Sequence, residues 1–134
     1  MILIFKLKIV TPEGTRFEDE VEYVELATKE GYMGSLTNRL PFVGMLRIAP
    51  LTIKIGNRNE VFAVHGGIVE MNGVEMIVVT TAAEKAEDID IEAAKRAIER
   101  AQEELKASED NFKKIKLQTR IEKNLLRMNV SKNR

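Results

Sequence analysis

The stretch VFAVHGGIVEMNGVEMIVVTTAAEKAEDIDI, residues 61–91, decides the fold because two kinds of secondary structure meet in it without a linker. An apolar, strand-like run is interrupted by Gly66 and Gly67 and resumes after them. Asn72 and Gly73 then predict a two-residue hairpin turn in which both residues take positive φ, and a β-branched run follows. The first part of this stretch therefore predicts the last three strands of a β domain.

A different chemistry begins after Thr81, where residues 82–87 are helix formers without a β-branched side chain, so we expect a helix to start there. Neither glycine nor proline occurs beyond Gly73. One apolar stripe covers about a third of a helical wheel and consists of Ile91, Ala94, Ile98, Ala101, Leu105 and Phe112. A second stripe consists of Leu117, Ile121, Leu125 and Met128. Ser108 is a candidate cap for a second helix, so the tail is either a helical hairpin that turns near residues 106–111 or one long helix.

The region before residue 61 reads as a series of short strands. An alternation of apolar and polar residues predicts a half-buried first strand, whose inward positions are Leu3, Phe5, Leu7 and Ile9. Residues 29–46 predict a loop-rich region with short strands near Met33 and Val43, and residues 52–55 and 60–65 predict an antiparallel pair. Many short strands bounded by turn residues indicate an antiparallel sandwich or barrel.

The composition narrows the class of protein. A chain of 134 residues buries one real core and not two large domains. With 21 basic and 21 acidic residues the net charge is zero, which argues against a general attraction to nucleic acid or anionic membranes. The absence of cysteine excludes disulfides, thiol catalysis and cysteine zinc sites. The apolar run at the start ends at Lys6, too early for a signal sequence or a membrane span.

The charge is unevenly distributed along the tail. Residues 84–110 hold 5 basic and 10 acidic groups, whereas residues 113–134 hold 8 basic groups and one acidic group, Glu122. An acidic segment followed by a basic one indicates either two helices that pair with each other or a basic helix meant for an acidic partner.

No catalytic constellation is present in the sequence. His65 is the only histidine, and its place beside the glycine pair indicates a structural role instead of a catalytic base. Neither of the glycine-rich phosphate-binding motifs, G-x-x-x-x-G-K-[ST] and G-x-G-x-x-G, occurs in the sequence. We therefore expect a protein without catalytic residues, metal ligands or a required cofactor.

Two separated motifs resemble the epsilon subunit of the rotary ATP synthase. The block KEGYMG at residues 29–34, which leads to Pro41, has the family's spacing. The other motif, a glycine pair, a short strand and an acidic helix start, matches the family at Gly66, Gly67, Ile68, Glu70, Ala83, Glu84, Ala86, Glu87, Asp88, Ile89 and Asp90. The order of strands, glycine loop, sandwich and helical tail matches over the whole length.

The resemblance implies an N-terminal antiparallel β-sandwich at residues 1–84 and a C-terminal α-helical hairpin at residues 85–134. It implies a non-catalytic rotor subunit that couples ion translocation to ATP synthesis and restrains ATP hydrolysis through its tail. The implied partners are the gamma subunit, the ring of membrane subunits (c) and, when the tail is extended, the catalytic beta subunits. The implied location is the bacterial cell membrane, peripherally and on the cytoplasmic side.

The resemblance also implies two protein contact sites. The membrane ring is met by one end of the sandwich, with the candidate residues Glu30, Gly31, Gly34, Arg39 and Pro41; Arg39 stands where the family tends to have histidine. The catalytic subunits are met by the basic second helix, with the candidate residues Lys113, Lys114, Lys116, Arg120, Lys123 and Arg127.

Some bacterial members of the family bind ATP through a motif resembling I-D-x-x-R-A. The matching candidates for a nucleotide site here are Glu84, Ile89, Asp90 and Arg100. Ala93 stands where the motif has arginine, so a guanidinium that pairs with phosphate is lost. Arg96 and Arg100 follow one and two turns later as candidates to replace it. The sequence therefore predicts weak ATP binding or none.

A rival interpretation is a free-standing β-sandwich adaptor whose basic helix binds nucleic acid or an acidic protein. The rotor interpretation predicts isolation together with nucleotide-hydrolysing partners, whereas the adaptor is expected to be isolated alone. The sequence does not distinguish protons from sodium as the coupling ion.

Overall fold

The computed structural model describes residues 4–35 and 41–133, which form eight strands followed by two helices. The strands are β1 (Phe5–Thr11), β2 (Gly14–Val21), β3 (Tyr23–Thr28), β4 (Gly31–Ser35), β5 (Phe42–Ile55), β6 (Arg58–Met71), β7 (Glu75–Val79) and β8 (Ala83–Lys85). A single 3₁₀ turn (Ala86–Asp88) connects them to helices α1 (Ile91–Ala107) and α2 (Asn111–Ser131).

The strands are hydrogen-bonded in the order β2-β1-β7-β6-β5-β3-β4, and β8 pairs with β6. β1 and β7 are parallel, and the other pairs are antiparallel. Side chains from both ends of this order share one core, in which β1 supplies Phe5, Leu7 and Ile9 and β3 supplies Val24 and Leu26. The sheet therefore folds over onto itself, and the predicted antiparallel sandwich is confirmed.

The alternation predicted for the first strand is confirmed over β1, whereas Leu3, the first predicted inward position, lies outside the described residues. The buried positions of β1 include Phe5, Leu7 and Ile9, whereas Lys6 is exposed. The hairpin after β6 is also confirmed, but its connection is Asn72, Gly73 and Val74 and not the two residues predicted. The Asn72 side chain explains the longer turn, because its Oδ1 accepts from the backbone N–H groups of Val74 (3.1 Å) and Glu75 (2.9 Å).

The prediction that the glycine pair breaks a strand is wrong. β6 runs through Gly66 and Gly67, whose φ angles are 77° and 118°, and its register with β5 is unbroken across them. On one side of the pair β6 also hydrogen-bonds β7, and on the other side it hydrogen-bonds β8. The glycines therefore bend one long strand from one half of the sandwich to the other. The strands predicted near Val43 and at residues 52–55 likewise belong to one strand, β5.

The tail is a helical hairpin, so of the two predicted arrangements the single long helix is excluded. α1 begins at Ile91 and not after Thr81, because Ala83–Lys85 pairs with β6 as the short strand β8. The hydrogen bonds between β8 and β6 outweigh the helix propensity of residues 83–85. The predicted domain boundary at residue 84 falls inside this strand.

The cap and the apolar stripes of the tail need correction. α2 is capped by Asp110 and not by Ser108: Asp110 Oδ1 accepts from the backbone N–H groups of Phe112 (2.9 Å) and Lys113 (3.5 Å). Phe112, a predicted member of the first stripe, is 73% exposed and does not belong to it. In α2 Leu126 and Val130 are buried and Leu125 is exposed, since this helix faces the sandwich as well as α1.

Candidate functional site

An exposed apolar surface crosses one end of the sandwich. Met45 on β5, Ile68 on β6 and Val79 on β7 are direct cross-strand neighbours. They are 57%, 51% and 54% exposed, and we call them the apolar row. Val43, two residues before Met45 on the same strand, is exposed as well. Contiguous exposed apolar side chains mark protein-binding surfaces more often than isolated ones do.

A groove of about 530 Å³ lies next to the apolar row. Its lining joins Ile68 to the turn between β3 and β4 and to the start of β5, at Lys29, Glu30, Met33 and Phe42. The predicted ring-contact residue Glu30 and the first residues of β5 therefore lie at the same end of the molecule. Pro41, the residue just before β5, is exposed.

The turn that carries Glu30 is held by Thr28. The Thr28 hydroxyl accepts from the Glu30 backbone N–H (3.1 Å) and donates to the Gly31 carbonyl (3.1 Å). Gly31 has a φ of 129°, a backbone conformation that favours glycine. Gly34 has no positive φ, and a side chain there would collide with the Tyr23 ring. Arg39 lies outside the described residues.

A partly buried polar cluster joins the sandwich to α2. His65 Nε2 and Arg127 Nε each lie 2.7 Å from the same carboxylate oxygen, Glu84 Oε1. Arg127 also donates from Nη1 to Asn124 Oδ1 (2.9 Å), and Asn124 Nδ2 donates to the Arg120 carbonyl (2.8 Å). Three separate elements, β6, β8 and α2, therefore meet at one carboxylate.

The environment of Glu84 favours its ionised form. The hydrogen bond from His65 is the largest influence, and the hydrogen bond and charge of Arg127 act in the same direction. Burial opposes them, but the net effect lowers the pKa of Glu84 to about 2. Since an ionised carboxylate only accepts hydrogen bonds, His65 carries its proton on Nε2. His65 is buried within β6 and hydrogen-bonded to Glu84, an arrangement that agrees with the structural role predicted for it.

The candidate nucleotide residues are only partly brought together. A cleft of about 480 Å³ is lined by Glu84 and Asp90 together with Arg120 and Arg127 of α2. Asp90 caps α1, since its Oδ1 accepts from the Ala93 backbone N–H at 3.0 Å. Two further candidates are not part of this lining: Ile89 is buried against α2 in an apolar cluster, and Arg100 lies exposed on α1.

Sequence reasoning assigned Arg120 and Arg127 to the contact with the catalytic subunits and missed that both line this cleft. Their spacing of seven residues, two helical turns, is the signal that could have placed them on one face. The six basic candidates of α2 differ in exposure: Lys113, Lys116 and Arg120 are exposed, whereas Lys114, Lys123 and Arg127 are half-buried.

Within residues 4–35 and 41–133, no group of three or more His, Asp or Glu side chains is placed to hold a metal ion. None of the helices in that part of the chain is long and apolar enough to cross a membrane. A sandwich with an exposed apolar row, a helical hairpin and a polar cluster between them defines a class of protein that works by binding other proteins.

Comparison with known proteins identifies the family within this class. The family description "ATP synthase, Delta/Epsilon chain, beta-sandwich domain" matches residues 4–86, and "ATP synthase, Delta/Epsilon chain, long alpha-helix domain" matches residues 87–132. The chain belongs to the ATP synthase delta/epsilon chain family. The family description names one chain of a larger assembly and not an enzyme in its own right.

Individual relatives agree with the family. The chain is 39% identical over 104 residues to an ATP synthase epsilon chain of Anoxybacillus flavithermus, covering 78% of each sequence. It is 32% identical over 127 residues to one of Bacillus mycoides, covering 95% of this chain and 96% of the relative. These matches support the rotor-subunit prediction over the free-standing adaptor.

Two solved structures share the fold. One is a chain of the Euglena gracilis mitochondrial ATP synthase, with a TM-score of 0.81 at 22% identity, over 92% of this chain and 78% of that one. The other is a chain of the Tetrahymena thermophila mitochondrial ATP synthase central stalk and c-ring, with a TM-score of 0.62 at 12% identity, over 95% and 96%. The sandwich followed by helices is thus an arrangement found in ATP synthase assemblies.

Proposed function

We propose that this chain is the epsilon-type subunit of the central stalk in a bacterial rotary ATP synthase. In this role it couples ion translocation to ATP synthesis and restrains ATP hydrolysis through its helical hairpin. The observation that carries the proposal is the apolar row, an uncovered apolar surface on a chain whose family takes part in a larger assembly. The chain is then peripheral to the membrane, on the cytoplasmic side, and attached through the complex.

The apolar row is the surface that we assign to the gamma subunit. It lies on neighbouring strands of a sheet, so it offers a rigid and nearly flat apolar face. Met45, Ile68 and Val79 are half exposed here, and burying them against a partner gains about 25 cal/mol for each Å² of apolar surface removed from water. A stalk that transmits torque needs a contact of this rigid kind.

The turn between β3 and β4 is the part that we assign to the membrane ring. Glu30 is exposed at its tip and held by Thr28, so the carboxylate is presented on an ordered backbone. Gly31, Gly34, Arg39 and Pro41 remain the other predicted members of this contact. A charged side chain on an ordered turn is better suited to bind a polar loop of a partner than an apolar side chain would be.

For nucleotide we propose weak binding or none. Arg127, a cation in the cleft beside Asp90, already donates to Glu84 and Asn124. Ala93 offers no guanidinium, and Arg100 is not among the residues that line the cleft. Isothermal titration of the whole subunit with ATP tests this: no heat of binding at submillimolar ATP is expected. A dissociation constant in the low micromolar range contradicts it.

The stalk assignment is tested by binding to the gamma subunit of the same organism. Ile68→Asp places a charge in the middle of the apolar row and is expected to weaken binding at least tenfold. The matched control is Val74→Asp. Val74 is also an exposed β-branched side chain, but it lies in the turn after β6 and outside the apolar row. Circular dichroism should show both variants folded. If Ile68→Asp binds gamma as tightly as the wild type, the apolar row is not the contact.

A further inference from the structure

We propose that His65, Glu84 and Arg127 form a latch that holds the helical hairpin on the sandwich without the help of a ligand. The proposal concerns how the hairpin is retained, and its relevance to hydrolysis rests on the function proposed above. It assigns His65 as a positioning residue, which acts on Arg127 through Glu84.

The hairpin is attached to the sandwich chiefly through α2. α2 contacts β5, β6 and β8, whereas α1 packs mainly on α2. The retention of the whole hairpin therefore depends on how firmly one face of α2 is held. A device that releases α2 releases α1 with it.

The apolar part of this attachment is small. Leu126 and Val130 of α2 pack against Ala63, Ala86 and Ile89, with Ile48 and Val61 at the edge. Two of the buried partners are alanines, which bury little surface, and apolar contact has no preferred direction. Such a patch allows α2 to slide or lift, so a directional contact is needed to fix its position.

The polar cluster supplies the directional contact. The His65 side chain is only 1% exposed, and its Nε2–H points to Glu84 Oε1 from inside the sandwich. This hydrogen bond fixes the carboxylate in the place where the Arg127 Nε–H reaches the same oxygen. From the other side, Asn124 holds the Arg127 guanidinium. Both members of the ion pair are thus oriented before they meet.

The latch is built to open at one bond. Arg127 and Asn124 both lie on α2, so their hydrogen bond persists when α2 leaves. His65 and Glu84 both lie on the sandwich, so their hydrogen bond persists there. Among the hydrogen bonds of this cluster, the one between Arg127 Nε and Glu84 Oε1 is the bond that joins the two parts. Each charged group keeps a hydrogen-bond partner after release, which lowers the cost of separating the ion pair.

The test measures the position of the hairpin in the full chain. Because the chain has no cysteine, Lys54→Cys on β5 and Gln118→Cys on α2, both at exposed positions, give unique sites for spin labels. Pulsed electron spin resonance then reports the populations at the short, docked distance and at longer ones. We expect Glu84→Gln and Arg127→Gln each to raise the ratio of released to docked hairpin about tenfold. The double variant should do little more than either single one, since both remove the same bond.

The matched control is Lys132→Gln, which removes one positive charge from the end of α2, away from Glu84. His65→Ala should resemble Glu84→Gln, and His65→Gln, which keeps an N–H donor, should restore part of the docking. Because His65 is buried, these two variants are interpreted only alongside their thermal unfolding. Unchanged distances in Glu84→Gln and Arg127→Gln overturn the latch, and so does an equal change in Lys132→Gln.

Hydrolysis of ATP by the assembled complex separates the latch from the proposed function. Release of the hairpin accompanied by altered hydrolysis supports both. Release without any change in hydrolysis supports the latch and contradicts the inhibitory role of the tail.

Discussion

The backbone carbonyl of Val79 lies directly against Gly67, so that a Cβ at position 67 would overlap its oxygen. Gly67 also has a φ of 118°, a region that side chains other than glycine rarely adopt. This contact brings β7 close to the bend of β6, where the apolar row passes from Ile68 to Val79.

Gly67→Ala is therefore expected to lower the free energy of unfolding by at least about 2 kcal/mol, from overlap and strain together. Gly14→Ala is the control, because Gly14 has a similar φ of 124° but open space around its Cα. Urea unfolding of both variants separates the two effects. Equal losses in the two variants would mean that the close approach of Val79 contributes nothing.

Local patterns predicted the parts of this fold that local energetics determine. The alternation in β1 and the hairpin after β6 each depend on residues a few positions apart. β8 escaped prediction because its residues favour a helix by themselves, and only pairing with β6 makes them a strand.

The polar cluster of His65, Glu84 and Arg127 could not be predicted from the sequence for a related reason. Glu84 is 19 residues from His65 and 43 residues from Arg127 in the sequence, so no spacing rule connects them. The exposure of Leu125 could not be predicted because helical periodicity shows which residues share a face of α2 but not which part of the protein packs against that face. That depends on the sandwich, which covers Leu126 instead.

The cap of α1 offers a second prediction. Asp90 accepts a hydrogen bond from the Ala93 backbone N–H at 3.0 Å, and loss of such a cap costs about 1 kcal/mol. Asp90→Ala should lower the free energy of unfolding by about this amount. Asp88→Ala removes an exposed aspartate two residues earlier and should have a smaller effect. Urea denaturation compares them, and identical effects would show that charge near the helix start matters and capping does not.

Acid should weaken the attachment at Glu84. The pKa of Glu84 is lowered from 4.5 to about 2, chiefly by the hydrogen bond from His65. A carboxyl group whose pKa is lower in the folded state stabilises that state above its unfolded pKa, and the stabilisation is lost as the pH falls through the folded pKa. The difference in unfolding free energy between the wild type and Glu84→Gln should thus be constant above about pH 5 and shrink towards pH 2.

The same titration on Glu87→Gln provides the control, because Glu87 is an exposed glutamate of the adjoining 3₁₀ turn. Its difference from the wild type should be small, because substitutions of exposed side chains usually change stability little. A difference for Glu84→Gln that does not depend on pH would show that the Glu84 carboxylate adds no net stability to the folded chain.

The last prediction concerns the helical hairpin as an inhibitor of hydrolysis. Deleting residues 89–134 removes Leu126 and Val130 but leaves the separate core of the sandwich complete. The truncated subunit should therefore fold, assemble and support coupling, while ATP hydrolysis by the complex rises. Buried Ala94 and Ala101 of α1 forgo about 0.8 kcal/mol for each CH₂ that a larger side chain would bury, so separating α1 from α2 loses only a modest amount of apolar burial.

Charge reversal distinguishes the basic surface from the presence of the helix. Replacing Lys113, Lys114, Lys116, Arg120 and Lys123 by glutamate, with Arg127 unchanged, leaves the Glu84 contact in place. If the basic helix acts on an acidic surface of the catalytic subunits, hydrolysis rises in this variant as in the deletion, because the released helix is repelled. The rate of ATP hydrolysis by the reconstituted complex is the measurement. Wild-type rates in both variants would mean that the hairpin of this protein does not inhibit hydrolysis, whereas a rise in the deletion alone would assign inhibition to the helix but not to its charge.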